Sequence, residues 1–325
     1  MPTRKEIVDR AIALEQPSRV PLWFVNCDQT DGDVMVYHLS LNRDEGADDN
    51  RTGGVGSGDN EWGFRLESLD GTMGHPMYPF LPDWESFADF SKPPVNAQRR
   101  MRRLLGFLAE AEDRYLLASL DLSGFTVYTL LRGFENSMMD FMIERERFSQ
   151  LMEMIVGFEM ELTTLAAEHG FHGMHFVDDW ATQTGLMIAP KLWRELFKPY
   201  YKRQFDHAHQ LGLHVWYHCC GNFTEIVDDF HEIGVDVLNI AQPNVVDIEG
   251  IGRRLRGKQC FLMPISYQTV SISGTVSEIH AEAQRLYDHL ACDNGGFIGY
   301  VEEYSCMGMS STNYRACADA FRRLK

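Results

Sequence analysis

Apolar and polar positions alternate along the chain in two recurring rhythms. Short, nearly continuous apolar runs read as strands: "RVPLWF" (19–24), "RYLLASLDL" (114–122), "GMHFVDDW" (173–180), "LGLHVWYHCCGN" (211–222), "VDVLNIAQP" (235–243), "KQCFLMPIS" (258–266) and "GGFIGYVEE" (295–303). Between them, 134–169, 190–211, 223–233, 246–256, 275–292 and 312–324 carry helical spacing. The N-terminal stretch predicts an amphipathic helix with Ile7, Ala11 and Leu14 on one face. Apolar strands joined by helices imply a parallel sheet covered on both faces. Seven candidate strands favour a closed (β/α) barrel. A doubly wound sheet would carry a Gly-rich dinucleotide turn after the first strand, and none is present.

Residues 26–96 interrupt this rhythm. They are polar and Gly/Asp-rich, with Pro76, Pro79 and Pro82 in an extended stretch, and predict an irregular insertion within one domain spanning 1–325. "TGGVGSG" (52–58) lacks the Gly-Lys-Ser/Thr ending of a phosphate loop.

Charge narrows the class of partner. With 30 Lys and Arg against 47 Asp and Glu, the net charge is −17, which repels nucleic acid and anionic membrane surfaces but leaves a small-molecule substrate open. No apolar run is long enough to span a membrane, and the N-terminus lacks the apolar segment of a signal peptide. Seven cysteines (Cys27, Cys219, Cys220, Cys260, Cys292, Cys306 and Cys317) form no dense framework, so a cytoplasmic protein with reduced thiols is expected. Composition does not fix the oligomeric state; a homodimer is compatible with it.

Parallel barrels place their chemistry at the C-terminal ends of the strands. The polar residues there are Asp121 and Ser123, Asp178 and Asp179, His218, Cys219, Cys220 and Asn222, Gln242, Ser266, and Glu302, Glu303 and Cys306. His218 and Cys220 are two residues apart, so on a strand they face the same side and supply half of a zinc site. Cys219 points the other way, as core filling. A third ligand would have to come from the last strand, through Glu303 or Cys306. The plain alternative is a pair of buried thiols beside a core histidine.

These stretches together resemble the uroporphyrinogen decarboxylase-like superfamily, and within it the zinc-dependent corrinoid methyltransferase branch. The likeness is carried by "RVPLWF", "NEWGF" (60–64), "PFLPDWESFADFSKPP" (79–94), "LLRGFENSMMDFMIERERFSQLM" (130–152), "VDDWATQTGLMIAPKLWRELFKPYYKR" (177–203), "YHCCGN" (217–222) and "GGFI" (295–298). It implies a distorted (β/α)8 barrel. It also implies zinc held by a His, a Cys two residues on and a Cys near the last strand, activating a thiol that takes a methyl group from a corrinoid. His218 and Cys220 match the first two ligands. The third departs from the pattern: Glu303 stands where the resemblance places a Cys, and Cys306 lies three residues later. Glu303, Glu302 or Cys306 would complete the shell, or no metal binds.

No cobalamin-binding Asp-x-His-x-x-Gly motif is present, so a corrinoid would arrive on a partner protein. The first strand is not followed by the Arg cluster of true porphyrinogen decarboxylases. Asp178 and Asp179 are expected to act on the acceptor or tune the metal. Tyr128, Arg132, Gln183, Asn222, Gln242, Tyr300 and Glu302 are expected to line the substrate. Strand parity puts Tyr300 and Glu302 on one face and Glu303 on the other, which weighs against Glu303. The alternatives are a metal-free lyase or decarboxylase acting on a small carboxylate, with Asp178 as acid/base, and a non-catalytic subunit of a corrinoid complex.

Overall fold

Eight short parallel strands form the wall of a barrel: β1 (Leu22–Val25), β2 (Val34–His38), β3 (Tyr115–Leu120), β4 (Gly173–Val177), β5 (His214–Cys219), β6 (Val237–Ile240), β7 (Cys260–Pro264) and β8 (Phe297–Glu302). The computed structural model describes residues 1–25, 31–43, 58–67 and 75–324. The hydrogen-bonded order is β1-β8-β7-β6-β5-β4-β3-β2. The seam between β1 and β2 has no ladder. Asp33 closes it at the lower end: its N–H donates to the Leu22 carbonyl and its carboxylate accepts from the Leu22 N–H, both at 2.8 Å. Arg19 neutralises the buried Asp33 carboxylate with paired guanidinium contacts of 2.5 and 2.7 Å.

β2 lies inside the stretch expected to be irregular. "VMVYH" is short and flanked by Asp and Gly, so its strand pattern is hidden in sequence, but it pairs with β3 from Val34↔Tyr115 to His38↔Ser119. The stretch around it also holds a small antiparallel sheet of Gly58–Asp59, Arg65–Glu67 and His75–Pro76. Cys27 and residues 52–57 of the glycine-rich segment lie outside the described residues.

Inward-facing side chains stack in layers, as barrel packing requires. Val34, Tyr115, Leu117, Trp216, Val237, Cys260, Leu262 and Ile298 fill the interior, and Val8 and Ala11 of the N-terminal helix Arg4–Ala13 plug its lower end. That helix begins at a capping box in which Thr3 and Glu6 satisfy each other's backbone N–H groups. Trp23 of β1 caps the apolar layers. Its ring meets Trp216, Tyr300 and His175 edge-on at 6.0, 5.4 and 5.2 Å. Burial of one such ring is worth up to about 5 kcal/mol. Above Trp23 the interior turns polar.

Outside the wall, helices bury one stripe each. In Val276–Leu290 the stripe is Ile279, Ala283, Leu286 and Leu290, three or four residues apart. Two long predicted helices are each broken by a turn. The segment 134–169 divides at Glu144 into Phe134–Ile143 and Arg145–Glu168, and 190–211 divides at Phe197 into Pro190–Leu196 and Lys198–Gln210. The breaks let Phe141, Phe148 and Phe197 meet edge-on at 5.1–5.3 Å, a tertiary gain that local periodicity does not register.

Candidate metal centre at the mouth of the barrel

β5 carries the pattern inward, outward, inward to its end. His214, Trp216 and His218 face the axis, and His214 lies at the lower end, 2.9 Å from the Tyr115 hydroxyl. Cys219 points outward, fully buried, and burial pushes its thiol well above the ordinary range. After Cys220 the chain turns sharply at Gly221, which has φ +77°; a Cβ there would collide with the Ala181 carbonyl. Gly221 thus brings the β5 end against the loop after β4.

That loop supplies Asp179. Its Oδ1 accepts the Cys220 N–H at 2.7 Å and lies 3.8 Å from His218 Nε2, while Cys220 Sγ is 3.4 Å from the same nitrogen. Among the described residues, Asp179, His218 and Cys220 are the one group of three whose ligand atoms all lie within 4.8 Å of one another.

The orientation of the imidazole is fixed from behind. Asn239 on β6, paired with His218 in register, donates from Nδ2 to the Leu262 carbonyl at 2.8 Å. Its Oδ1 therefore faces His218 Nδ1, at 2.6 Å, and accepts from it. With the proton on Nδ1, the Nε2 lone pair points at Cys220 and Asp179. This is the arrangement by which metal-ligating histidines are held.

Burial, the Asp179 carboxylate and the Glu302 carboxylate together push the Cys220 thiol well above its ordinary pKa. A site that gathers a thiol and carboxylates in this way suits a divalent cation, which would offset their charge and favour the thiolate. An imidazole, a thiol and a carboxylate at this spacing form a three-ligand set of the kind that leaves a fourth position for a substrate.

Glu302 faces inward beside this group. Its Oε2 accepts from the Tyr300 and Tyr304 hydroxyls at 2.7 and 2.6 Å. Gln242 joins the loops: Oε1 accepts from Gly221 N and Gln183 Nε2, each at 3.1 Å, and Nε2 donates to the Tyr267 hydroxyl at 2.6 Å. Tyr267 stacks near Tyr304, 5.1 Å between ring centres.

The structure does not bring the other expected residues to this cluster. Asp178 is fully buried beneath the helix Gly124–Arg132, where it accepts the N–H groups of Phe125 and Thr126 and the hydroxyls of Thr126 and Tyr201. Burial lifts it to about 7 against those bonds. It is a helix-terminus anchor rather than an acid/base in the mouth. Arg132 and Tyr128 both bind the buried Asp140, at 2.8 and 2.9 Å, and Arg132 also lies over the Trp84 ring. Glu303 lies on the outward face and accepts from Ser305 N and Oγ at 3.0 and 2.7 Å; Cys306 is exposed in the turn that follows. Asn222 accepts from Thr224 and shapes the loop.

Asp179 as a candidate ligand, and Asn239, Tyr267 and Tyr304 as supports around the cluster, are the placements that sequence reasoning missed. Asn239 left a signal, a lone amide within the apolar "VLNI".

A family model described as "Uroporphyrinogen decarboxylase (URO-D)" matches residues 77–322. Among solved structures, a methyltransferase from Methanosarcina mazei shares the fold at a TM-score of 0.73 and 13% identity, over 98% of each chain. A D-psicose 3-epimerase aligns at a TM-score of 0.38 and 11% identity, over 67% of this chain and 81% of the other, too weakly to carry an argument. No curated protein sequence matches the chain. Because the family model spans most of the barrel, the chain belongs to the uroporphyrinogen decarboxylase (URO-D) family.

Proposed function

We propose that the protein is a zinc-dependent methyltransferase that moves a methyl group from a corrinoid, carried by a partner protein, to a small thiol. The observation that carries this reading is the Asp179–His218–Cys220 cluster, with the His218 Nε2 lone pair turned into it by Asn239. The fold likeness to the Methanosarcina mazei methyltransferase supports it.

Asp179, His218 and Cys220 would hold the zinc, in place of the His, Cys and Cys that the family resemblance implies. Bound zinc supplies a Lewis acid that lowers the pKa of an incoming thiol. Exchanging a thiolate for the Asp179 carboxylate makes that acid harder. The chain's own residues do the rest. Asn239 holds the imidazole in register, and Cys220 N–H orients the Asp179 carboxylate. Tyr300, Glu302 and Tyr304 form a polar wall beside the cluster, with Gln242 and Tyr267 adjoining it. Among the described residues no helix is long and apolar enough to cross a membrane. Free Cys219, Cys220, Cys260, Cys292, Cys306 and Cys317 suit a reducing, cytoplasmic setting.

The test is methyl transfer from methylcobalamin to 2-mercaptoethanol by zinc-loaded protein, followed by the cobalamin absorbance and by mass detection of the methyl thioether. The expected result is zinc-dependent turnover that disappears in Cys220→Ala. Equal rates with and without zinc would refute the reading.

A further inference from the structure

The wall adjoining the cluster holds a second arrangement of titratable groups that the proposed function does not use. His38, the last residue of β2, and Asp121, just past the end of β3, face the barrel axis; in register His38 is level with Ser119 of β3 and His175 of β4, and the His175 ring meets that of His218 edge-on at 6.3 Å. His38 Nδ1 and Asp121 Oδ1 are 2.5 Å apart. The Asp121 side chain is 4% exposed and His38 is 19% exposed, so the carboxylate is sealed in while the imidazole reaches the mouth.

A carboxylate only accepts, so the shared proton sits on Nδ1, and in the neutral imidazole His38 Nε2 carries the lone pair. Among the described residues the second Asp121 oxygen has no hydrogen-bond partner, and neither does Nε2 of the neighbouring buried His175, whose Nδ1 lies 3.1 Å from Ser119 Oγ. Buried polar atoms without partners are rare, and two on one wall of a barrel mouth mark a place built for polar chemistry. β2 and β5 are three strand spacings apart, each about 4.8 Å. Their inward side chains share the mouth of the barrel with those of β3 and β4 between them.

We propose that His38, held by Asp121, is the catalytic base of the methyl transfer and takes the proton of the acceptor thiol. This rests on the methyl-transfer reading above. As the thiol enters the mouth beside His38, its S–H bond breaks, the proton goes to His38 Nε2 and the electron pair stays on sulfur. The sulfur then attacks the methyl carbon, the bond from that carbon to the donor breaks, and its electron pair leaves with the donor. Asp121 stabilises the imidazolium that forms, the role a buried carboxylate plays beside a catalytic histidine elsewhere. His38 then returns its proton to solvent.

The electrostatics agree. Burial disfavours the charged imidazole, but the Asp121 carboxylate, by charge and by hydrogen bond, more than offsets it and raises the His38 pKa. Among the described residues, His175 is a further titratable group that interacts with His38. Burial holds it well below its ordinary value, so it is neutral and competes little for the proton.

The test compares wild type, His38→Gln and Asp121→Asn, all zinc-loaded, with methylcobalamin and 2-mercaptoethanol across pH 5–9. His38→Gln is expected to lose 100-fold or more in kcat, the usual scale of a lost general base, with zinc content unchanged. Its rate should also lose the rise with pH that follows His38 deprotonation. Asp121→Asn should move that rise to lower pH, because removing the carboxylate leaves burial to lower the His38 pKa. A wild-type rate and pH profile in His38→Gln would overturn the proposal, as would a fall in zinc content parallel to the fall in rate.

An NMR titration of His38 in zinc-loaded protein, with and without the thiol, distinguishes the two failures. A His38 pKa shifted by the thiol in a protein that transfers no methyl group refutes the methyl-transfer reading while supporting contact between the dyad and the ligand. A His38 pKa indifferent to the thiol overturns the dyad.

Discussion

Replacing Asn239 with Leu, which has nearly the same shape, removes the group that orients His218 without touching any of the three ligand atoms. Asn239 accepts from His218 Nδ1 at 2.6 Å and donates to the Leu262 carbonyl at 2.8 Å, so the change strands one buried donor and one buried acceptor. Each such loss costs about 1–3 kcal/mol, so a measurable drop in the urea midpoint is expected. The sharper effect is on the metal. Without an acceptor at Nδ1, the proton is free to move to Nε2, and the lone pair no longer points into the cluster. Loss of a ligand's supporting partner costs about 10–100-fold in metal affinity, or about 1.4–2.7 kcal/mol. The assay is competitive zinc titration against a chromophoric chelator at constant pH. Asn239→Asp is the control, because a carboxylate keeps the acceptor and raises ligand basicity; its affinity should not fall. A folded Asn239→Leu protein that binds zinc as tightly as wild type would refute the tautomer argument, as would equal losses in the Leu and Asp variants.

The remaining predictions concern residues around the site. Glu303→Ala and Cys306→Ala should leave zinc content unchanged in elemental analysis, because Glu303 is bonded to Ser305 and Cys306 is exposed. Arg132→Met should cost about 3–5 kcal/mol in urea unfolding by leaving buried Asp140 unpaired, and adding Asp140→Leu should restore much of it. Glu159, lifted to about 8 chiefly by burial, binds its proton more tightly folded than unfolded. Its contribution to stability is therefore full below pH 4.5 and declines as pH rises through about 8, at about 1.4 kcal/mol per unit of pKa difference. Glu159→Gln should flatten that decline in unfolding measured from pH 5 to 9. It should also be tolerated in the fold, because among the described residues the Oε1 of its partner Gln204 has no hydrogen-bond partner and accepts from the new amide once Gln204 flips.

The barrel was legible because buried parallel strands are apolar throughout and contrast with the amphipathic helices around them. Seven of its strands stand out this way. β2 did not, because five residues among Asp and Gly carry too little apolar pattern, and only pairing with β3 makes them a strand. Parity along β5 and β8 correctly separated His218 from Cys219 and Glu302 from Glu303, since a strand's period of two is a property of the backbone alone. The grouping of Asp179 with His218 and Cys220 was beyond that rule. It depends on how two loops meet, and the meeting is set by the turn at Gly221 and by the Cys220 N–H bond to Asp179. The expectation for Asp178 failed for a related reason: adjacent carboxylates in a loop face different ways, and the N-terminus of the helix Gly124–Arg132 claims one of them. His38 and Asp121 stand far apart in sequence, and only the pairing of β2 with β3 makes them neighbours.

The central claim is that Asp179, His218 and Cys220 form one metal centre. The most direct test is elemental analysis of the purified protein beside Asp179→Ala, His218→Ala and Cys220→Ala, with circular dichroism to confirm folding. The account predicts about one zinc per chain in the wild type, by the three-ligand logic of such sites, and loss of that zinc in each folded variant. Undiminished zinc in the His218→Ala, Cys220→Ala double variant, or a wild-type protein that takes up no zinc, would contradict it.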